Sequence, residues 1–248
     1  MPRYKLTIEY DGTGFYGWQR QSGFISIQQA LEEAIEEFSR QKVTVFGAGR
    51  TDTGVHALAQ VAHIDLEKEW EPGRIVEASN GILKFREHKI AVLDCELVTE
   101  EFDARFSAKR RNYRYRIVNR QAPLAIDYCR AWWVRRPLDV EAMHDAAQCL
   151  VGHHDFTTFR SINCQAKSPM KTLDLLDVKR VAQEEIEILA TSRSFLHNQV
   201  RSMVGSLKLV GDGKWRKPDL EHARDALDRK ACGPVAPACG LYLVNAEY

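Results

Sequence analysis

Ten residues, Gly47-Ala48-Gly49-Arg50-Thr51-Asp52-Thr53-Gly54-Val55-His56, constrain the fold more than any other stretch. Before them Val43-Thr44-Val45-Phe46, β-branched and aromatic, predicts a strand. After them Ala57 to Ile64 predicts a second extended segment. A turn between two strands needs roughly two to five residues. This one is longer and holds three glycines, an arginine and an aspartate. Glycine permits φ > 0 and lets another backbone or a ligand come close. An acid two residues from an arginine, on a glycine-rich loop carried by strands, can be kept ionised and aimed at a ligand. The plainer alternative is that Asp52 only builds the turn, since Asp and Gly are ordinary turn residues. No Gly-Lys-Ser/Thr follows at the spacing of a phosphate-binding P-loop, so that reading fails.

The chain of 248 residues can hold one large domain or two modest ones, and its 44% hydrophobic content leaves room for a substantial core. The net charge of +1 announces no nucleic-acid partner, but its distribution does. Between Ala104 and Ile126 stand Arg105, Lys109, Arg110, Arg111, Arg114, Arg116 and Arg120, with no acid among them. A segregated basic stripe matters more than the total and predicts contact with phosphates. The six cysteines form no Cys-x-x-Cys pair, which excludes zinc-ribbon and thioredoxin readings and fits reduced, mostly buried thiols. No apolar run is long enough to span a membrane. Tyr4 to Tyr10 is strand-like from the start, which leaves no room for a signal peptide. The expected location is cytoplasmic.

Leu6, Ile8 and Tyr10 alternate with Lys5, Thr7 and Glu9, as in a half-buried strand. The loop Asp11 to Arg20 comes next, with Phe15, Tyr16 and Trp18; aromatic faces beside arginine suit stacking on unpaired bases, or they cover the edge of a core. Ser26 to Gln29 reads as a capping box opening a helix with Ile27, Leu31, Ala34, Ile35 and Phe38 on one stripe and a solvated face of glutamates opposite. A second helix is expected from Pro72 to Lys84, ended by Asn80-Gly81, and a strand from Ile90 to Leu97. Near Phe102–Phe106 the pattern changes, which divides the chain into 1–104 and 105–248.

In the second half Arg111 to Val118 predicts a strand, with Tyr113, Tyr115 and Ile117 on one face and Arg114 and Arg116 on the other. Asp139 caps a helix with Met143, Ala146, Ala147 and Leu150, closed by Gly152. His153 and His154 are adjacent and point apart on any regular element, so a shared metal is not expected. Leu173–Val178 and Ile186–Thr191 predict paired strands. Phe195, Val200, Met203, Val204, Leu207 and Val210 predict a buried helix ended by Gly211, in which Arg201 is costly unless it is paired or snorkels to solvent. Pro218 opens a last helix through Leu227, and Pro237 to Leu243 gives a closing strand.

Four stretches carry a resemblance. Gly49-Arg50-Thr51-Asp52-x-Gly54-Val55-His56-Ala57 resembles the active-site motif of the tRNA pseudouridine synthase A family. Tyr10-Asp11-Gly12-Thr13 with Phe15 and Gly17-Trp18-Gln19 is similar to its N-terminal signature, Phe195-Leu196-x-x-Gln199-Val200-Arg201-x-Met203-Val204-Gly205 to its third motif, and Pro237 to Leu243 to its C-terminal signature. The resemblance runs from Tyr4 to Leu243 without departure at a motif position. It implies an α+β fold of two similar halves joined in one extended, mostly antiparallel sheet around a central cleft. It implies an isomerase that converts uridine to pseudouridine at positions 38, 39 and 40 of the tRNA anticodon stem-loop, as a homodimer without cofactor or metal. Asp52 would be the nucleophile, paired with Arg201; Tyr113 would stack on the target base, and Arg50 would join Arg201 in binding substrate. Two readings from other classes stand beside it. A non-catalytic RNA-binding module would have little use for a carboxylate facing phosphates. A carboxylate-based nucleoside or glycoside hydrolase typically needs a second acid across the scissile bond, and none stands out beside Asp52.

Overall fold

Strand β1 (Arg3–Tyr10) buries Tyr4, Leu6, Ile8 and Tyr10 and turns the residues between them outward, the alternation its sequence predicts. Each fully buried Leu or Ile contributes about 1.5–3 kcal/mol, so this face alone anchors a sheet. The computed structural model describes all residues, Met1–Tyr248, and divides them into two compact units: Met1–Lys109 with Tyr242–Tyr248, and Arg110–Leu241.

The first unit contains β1, helix α1 (Ile27–Ser39), the two-residue strand β2 (Phe46–Gly47), β3 (His56–Asp65), helix α2 (Pro72–Phe85) and β4 (Ile90–Val98). It is completed by the last strand, β10 (Leu241–Glu247). The sheet order is β4-β1-β3-β10, with β2 paired to β3. β1 is antiparallel to both neighbours, whereas β10 runs parallel to β3, with Tyr242 opposite His56. The register slips between Ile8 and Tyr10 on the β3 side, immediately before the aromatic loop. Such bulges bend a strand and re-aim the residues beyond them.

The second unit contains β5 (Arg110–Asn119), β6 (Trp132–Val134), helix α3 (Val140–Ala147), β7 (Gly152–Asp155), β8 (Met170–Ala182), β9 (Glu185–Ser192), and helices α4 (Gln199–Gly211) and α5 (Lys217–Asp225). Its sheet order is β5-β9-β8-β7, antiparallel throughout, with β6 added parallel to β5. α3 packs against β8, α4 and α5. The fold is therefore mixed α/β, with mostly antiparallel sheet flanked by helices.

Several local expectations need correction. Val43 to Val45 is not strand. The Val45 N–H donates to Glu32 and its carbonyl accepts from Gln28, both on α1, so helix side chains supply what a neighbouring strand would. For the same reason Glu32 is buried rather than solvated, with Gln28 and Arg20 as further partners. Ser26 does cap α1 by accepting from the Gln29 N–H, but the Gln29 side chain reaches forward to Glu33. Asn80-Gly81 does not end α2. Asn80 bonds the N–H and the C=O of Val92, each at 2.8 Å, and so ties the helix to β4, the edge strand. Phe195 lies before α4, whose cap is Asn198 in the left-handed region at φ 64. α5 ends at Asp225, because Leu227 sits at φ 50, and the closing strand starts only at Leu241.

Candidate active site

The loop from Gly47 to His56 is held down at several points. The Ala48 N–H donates to the Val61 carbonyl at 2.7 Å, and the Gln60 amide donates to the Gly49 carbonyl at 2.7 Å. Thr51 is buried: its hydroxyl shares a 2.7 Å hydrogen bond with the Tyr10 hydroxyl, and its carbonyl accepts from the Trp18 N–H at 3.0 Å. The Val55 N–H then donates to the Asp52 carbonyl at 3.1 Å, closing a tight turn around Asp52. Gly17 makes the approach possible. It sits at φ 74, and a Cβ there would lie 2.6 Å from the Thr51 carbonyl oxygen. Gly47 packs against the Trp18 indole so closely that a Cβ would lie 2.6 Å from the ring.

The far end of the loop is fixed by His56. Its imidazole is buried, stacks on Tyr242 at 4.7 Å, accepts the Gly12 N–H at Nδ1 and lies 3.2 Å from the Asp11 carboxylate. Burial works to raise the Asp11 pKa, but hydrogen bonds from Thr13 and the nearby Lys89 charge help to outweigh it and hold the carboxyl below its usual value. The two N-terminal signatures are thus one device: Tyr10 to Trp18 is the cradle, and Arg50-Thr51-Asp52 is what it holds. Within it Asp52 is partly buried and Arg50 is exposed. The aromatic loop divides in function. Phe15 and Trp18 cover the core, at 6% and 2% exposure, while Tyr16 stays outside at 44%.

In the second unit β5 separates its two tyrosines. Tyr115 is fully buried, donates its hydroxyl to the Pro237 carbonyl at 2.7 Å and packs against Gly240. Burial drives its pKa well above that of an ordinary tyrosine, so it stays a neutral structural donor. Tyr113 is only partly buried and meets the Phe195 ring edge-on at 5.2 Å. Arg201, in the first turn of α4, does not simply run to solvent. Its Nε donates to the Ala236 carbonyl at 2.8 Å and its Nη1 to the Asn198 side chain at 2.9 Å, while its own carbonyl accepts the Ala236 N–H. Those bonds offset the cost of placing a guanidinium among apolar neighbours. Asp52 and Arg50 therefore belong to the first unit, and Tyr113 and Arg201 to the second.

The basic stripe is not the open phosphate track expected. Arg114 faces Glu187, Arg116 faces Glu185 and Asp127, and Arg120 faces Glu184. Arg111 is buried and donates to the Arg193 carbonyl. Apart from Asp127, which lies just beyond the stripe, the acids that balance it come from β9 and its preceding turn, far away in sequence. Arg105, Lys109 and Arg110 remain exposed. His153 and His154 each have a separate partner, the Thr172 hydroxyl and the Val151 carbonyl. The sequence assigns no individual role to His56, Gln60 or Phe195, although His56 and Phe195 lie inside the motif words. The Val-His-Ala word was visible, but nothing in it says that the imidazole folds back onto Asp11.

The family pattern described as tRNA pseudouridine synthase matches residues 6–107 and 146–248. The chain belongs to this family of isomerases, which convert uridine in tRNA to pseudouridine. Among its relatives, a protein of Rhizobium meliloti is 58% identical over 248 residues, covering 100% of each chain. One from Brucella ovis is 57% identical over 248 residues, covering 100% of this chain and 98% of its own. Both carry the name tRNA pseudouridine synthase A.

Proposed function

We propose that the chain acts on uridines 38, 39 and 40 of the tRNA anticodon stem-loop, with Asp52 as the nucleophile and no cofactor or metal. One observation supports this most: the chain at Asp52 is pinned by Tyr10 at the Thr51 hydroxyl, by Trp18 at the Thr51 carbonyl and by Val55 at the Asp52 carbonyl. A carboxylate held this way needs no reordering before it reacts. The reaction exchanges a C1′–N1 bond for a C1′–C5 bond within one nucleotide. N1 leaves the sugar, the base turns, C5 attacks, and the C5 proton passes to solvent while N1 gains one. Asp52 starts the exchange by adding to C6 or C1′, or by taking a sugar proton; each route needs the ionised carboxylate. Arg50 and Arg201 supply positive charge that favours that form and binds substrate. Tyr113 holds the base while it turns. A uridine inside a stem must first be flipped out, at a cost of about a few kcal/mol.

A homodimer working in the cytoplasm completes the proposal. The six cysteines are all free thiols, which suits a reducing compartment, and no helix is long and apolar enough to cross a membrane. Sedimentation mass tests the dimer.

The deciding experiment tracks tritium released from tRNA labelled at uridine C5, with chelator present and no cofactor added. Release that stops with Asp52→Ala is the expected result. Appearance of free uracil would point to hydrolysis instead, and salt-sensitive tRNA binding without release to a binding module. Arg201→Leu should lose activity at least about tenfold; a fully active variant would remove Arg201 from the mechanism.

A further inference from the structure

The hairpin Gln21-Ser22-Gly23-Phe24 takes no part in the site above. Gln21 and Phe24 pair in an isolated antiparallel bridge, and Gly23 turns at φ 84. The Tyr16 N–H donates to the Ile25 carbonyl at 3.0 Å, and the Gln21 amide to the Tyr16 carbonyl at 2.8 Å. The tip is therefore tied to the aromatic loop that cradles Asp52. It carries two stacked rings in the open. Phe24 is 50% exposed, and Tyr16 lies on it with centroids 4.0 Å apart and planes at 26°. Phe24 lines an open groove of about 570 Å³, together with Arg20, Gln21, Ser22 and Gln29. Tyr16 is not among the lining residues and backs the Phe24 ring. Arg20 is half exposed, and Glu32 fixes its Nη1 at 2.9 Å.

We propose that this groove binds an unpaired nucleobase of the RNA substrate, stacked on Phe24, with an adjoining phosphate against Arg20. The inference rests on the tRNA-modifying reading and adds to it a contact outside the Asp52 loop. A flat ring backed by a second ring suits a flat ligand. A guanidinium suits the phosphate that every nucleotide brings with it. Gln21, Ser22 and Gln29 offer amide and hydroxyl groups to a base edge. Stacking on an aromatic side chain is tolerant of base identity and is worth about 1–3 kcal/mol per base. Neither Tyr16 nor Phe24 belongs to the signature words that surround them.

The test compares wild type, Phe24→Ala, Phe24→Trp and Tyr16→Ala, using a tRNA transcript for binding and tritium release for turnover. Phe24→Ala should raise Kd and KM about tenfold with kcat unchanged, since 1.4 kcal/mol is a factor of ten. Phe24→Trp should restore binding, and Tyr16→Ala should weaken it less than Phe24→Ala. Heparin, a polyanion without bases, should bind all four alike. Unchanged tRNA affinity in Phe24→Ala overturns the proposal. So does equal weakening toward heparin, or a fall in kcat at constant KM. A changed sedimentation mass with unchanged tRNA affinity assigns the face to protein contact and overturns it too. Wild-type protein that neither binds tRNA nor releases tritium fails the underlying functional reading before any variant is compared.

Discussion

Tyr113 and Tyr115 stand two apart on one face of β5, yet their surroundings give them different work. Tyr115 spends its hydroxyl on the Pro237 carbonyl, whereas Tyr113 presents a partly exposed ring braced by Phe195. Tyr115→Phe should therefore cost about 1–3 kcal/mol of stability, by leaving a carbonyl without its donor. Tyr113→Phe keeps the ring and should report on the hydroxyl in turnover. Urea unfolding and tritium release measure the two effects; an unchanged urea midpoint in Tyr115→Phe would mean that its bond to the Pro237 carbonyl does not support the fold. Asp52→Asn keeps size and polarity but removes the charge. It should abolish turnover and leave tRNA affinity within about threefold. Retained turnover would take the nucleophile role away from Asp52. At this scale the motif words located Asp52, Tyr113 and Arg201 by position. They could not reveal Arg201's bonds to Asn198 and Ala236, because residue 236 is brought there only by the return of the chain.

Among the elements, those with a strict period were readable. The alternation of β1 and β5 and the stripe of α1 declared which side faces the core. What escaped was backbone satisfied by side chains from another element. Val45 reads as strand by composition, but its polar groups are met by Gln28 and Glu32. Asn80-Gly81 reads as a stop, yet the Asn80 amide stands in for a missing neighbour at the edge of β4. Asn80→Ala should accordingly destabilise the protein by about 1–3 kcal/mol, although helix propensity alone favours alanine there. A urea midpoint at or above wild type would show that α2 holds β4 by apolar packing alone. The basic stripe was misread for a related reason. Three of its four counter-charges, Glu184, Glu185 and Glu187, sit at the start of the partner strand β9 or just before it, beyond any local window of sequence.

For the whole molecule, acid is the natural stress. Burial, together with the nearby Arg3 charge, lowers the His63 pKa from 6.5, and burial beside Arg86 lowers that of His88. His63 accepts the Ala104 N–H at Nδ1, which requires that nitrogen to be unprotonated. A histidine whose pKa is depressed on folding lends stability that is present above its unfolded value and is lost as pH falls through the folded value. The urea midpoint should hold above about pH 7 and decline below about 6.5, the ordinary histidine value. His63→Gln should make that decline shallower; an unchanged slope would clear His63 of the effect. The thiols obey a separate logic. Burial pushes Cys95 up to about 12 and Cys149 to about 11, so both stay unreactive at neutral pH.

The division of the chain also sets an order of assembly. The second unit is one continuous stretch, Arg110–Leu241, whereas the first is interrupted by all of it and completed by Tyr242–Tyr248. The strand that flanks β3, and the tyrosine on which His56 lies, follow the whole second unit in the chain. During synthesis the Asp52 loop waits for that support until all of Arg110–Leu241 has been made. A chain that stops short of Tyr242 therefore carries the motif without the ring that braces His56.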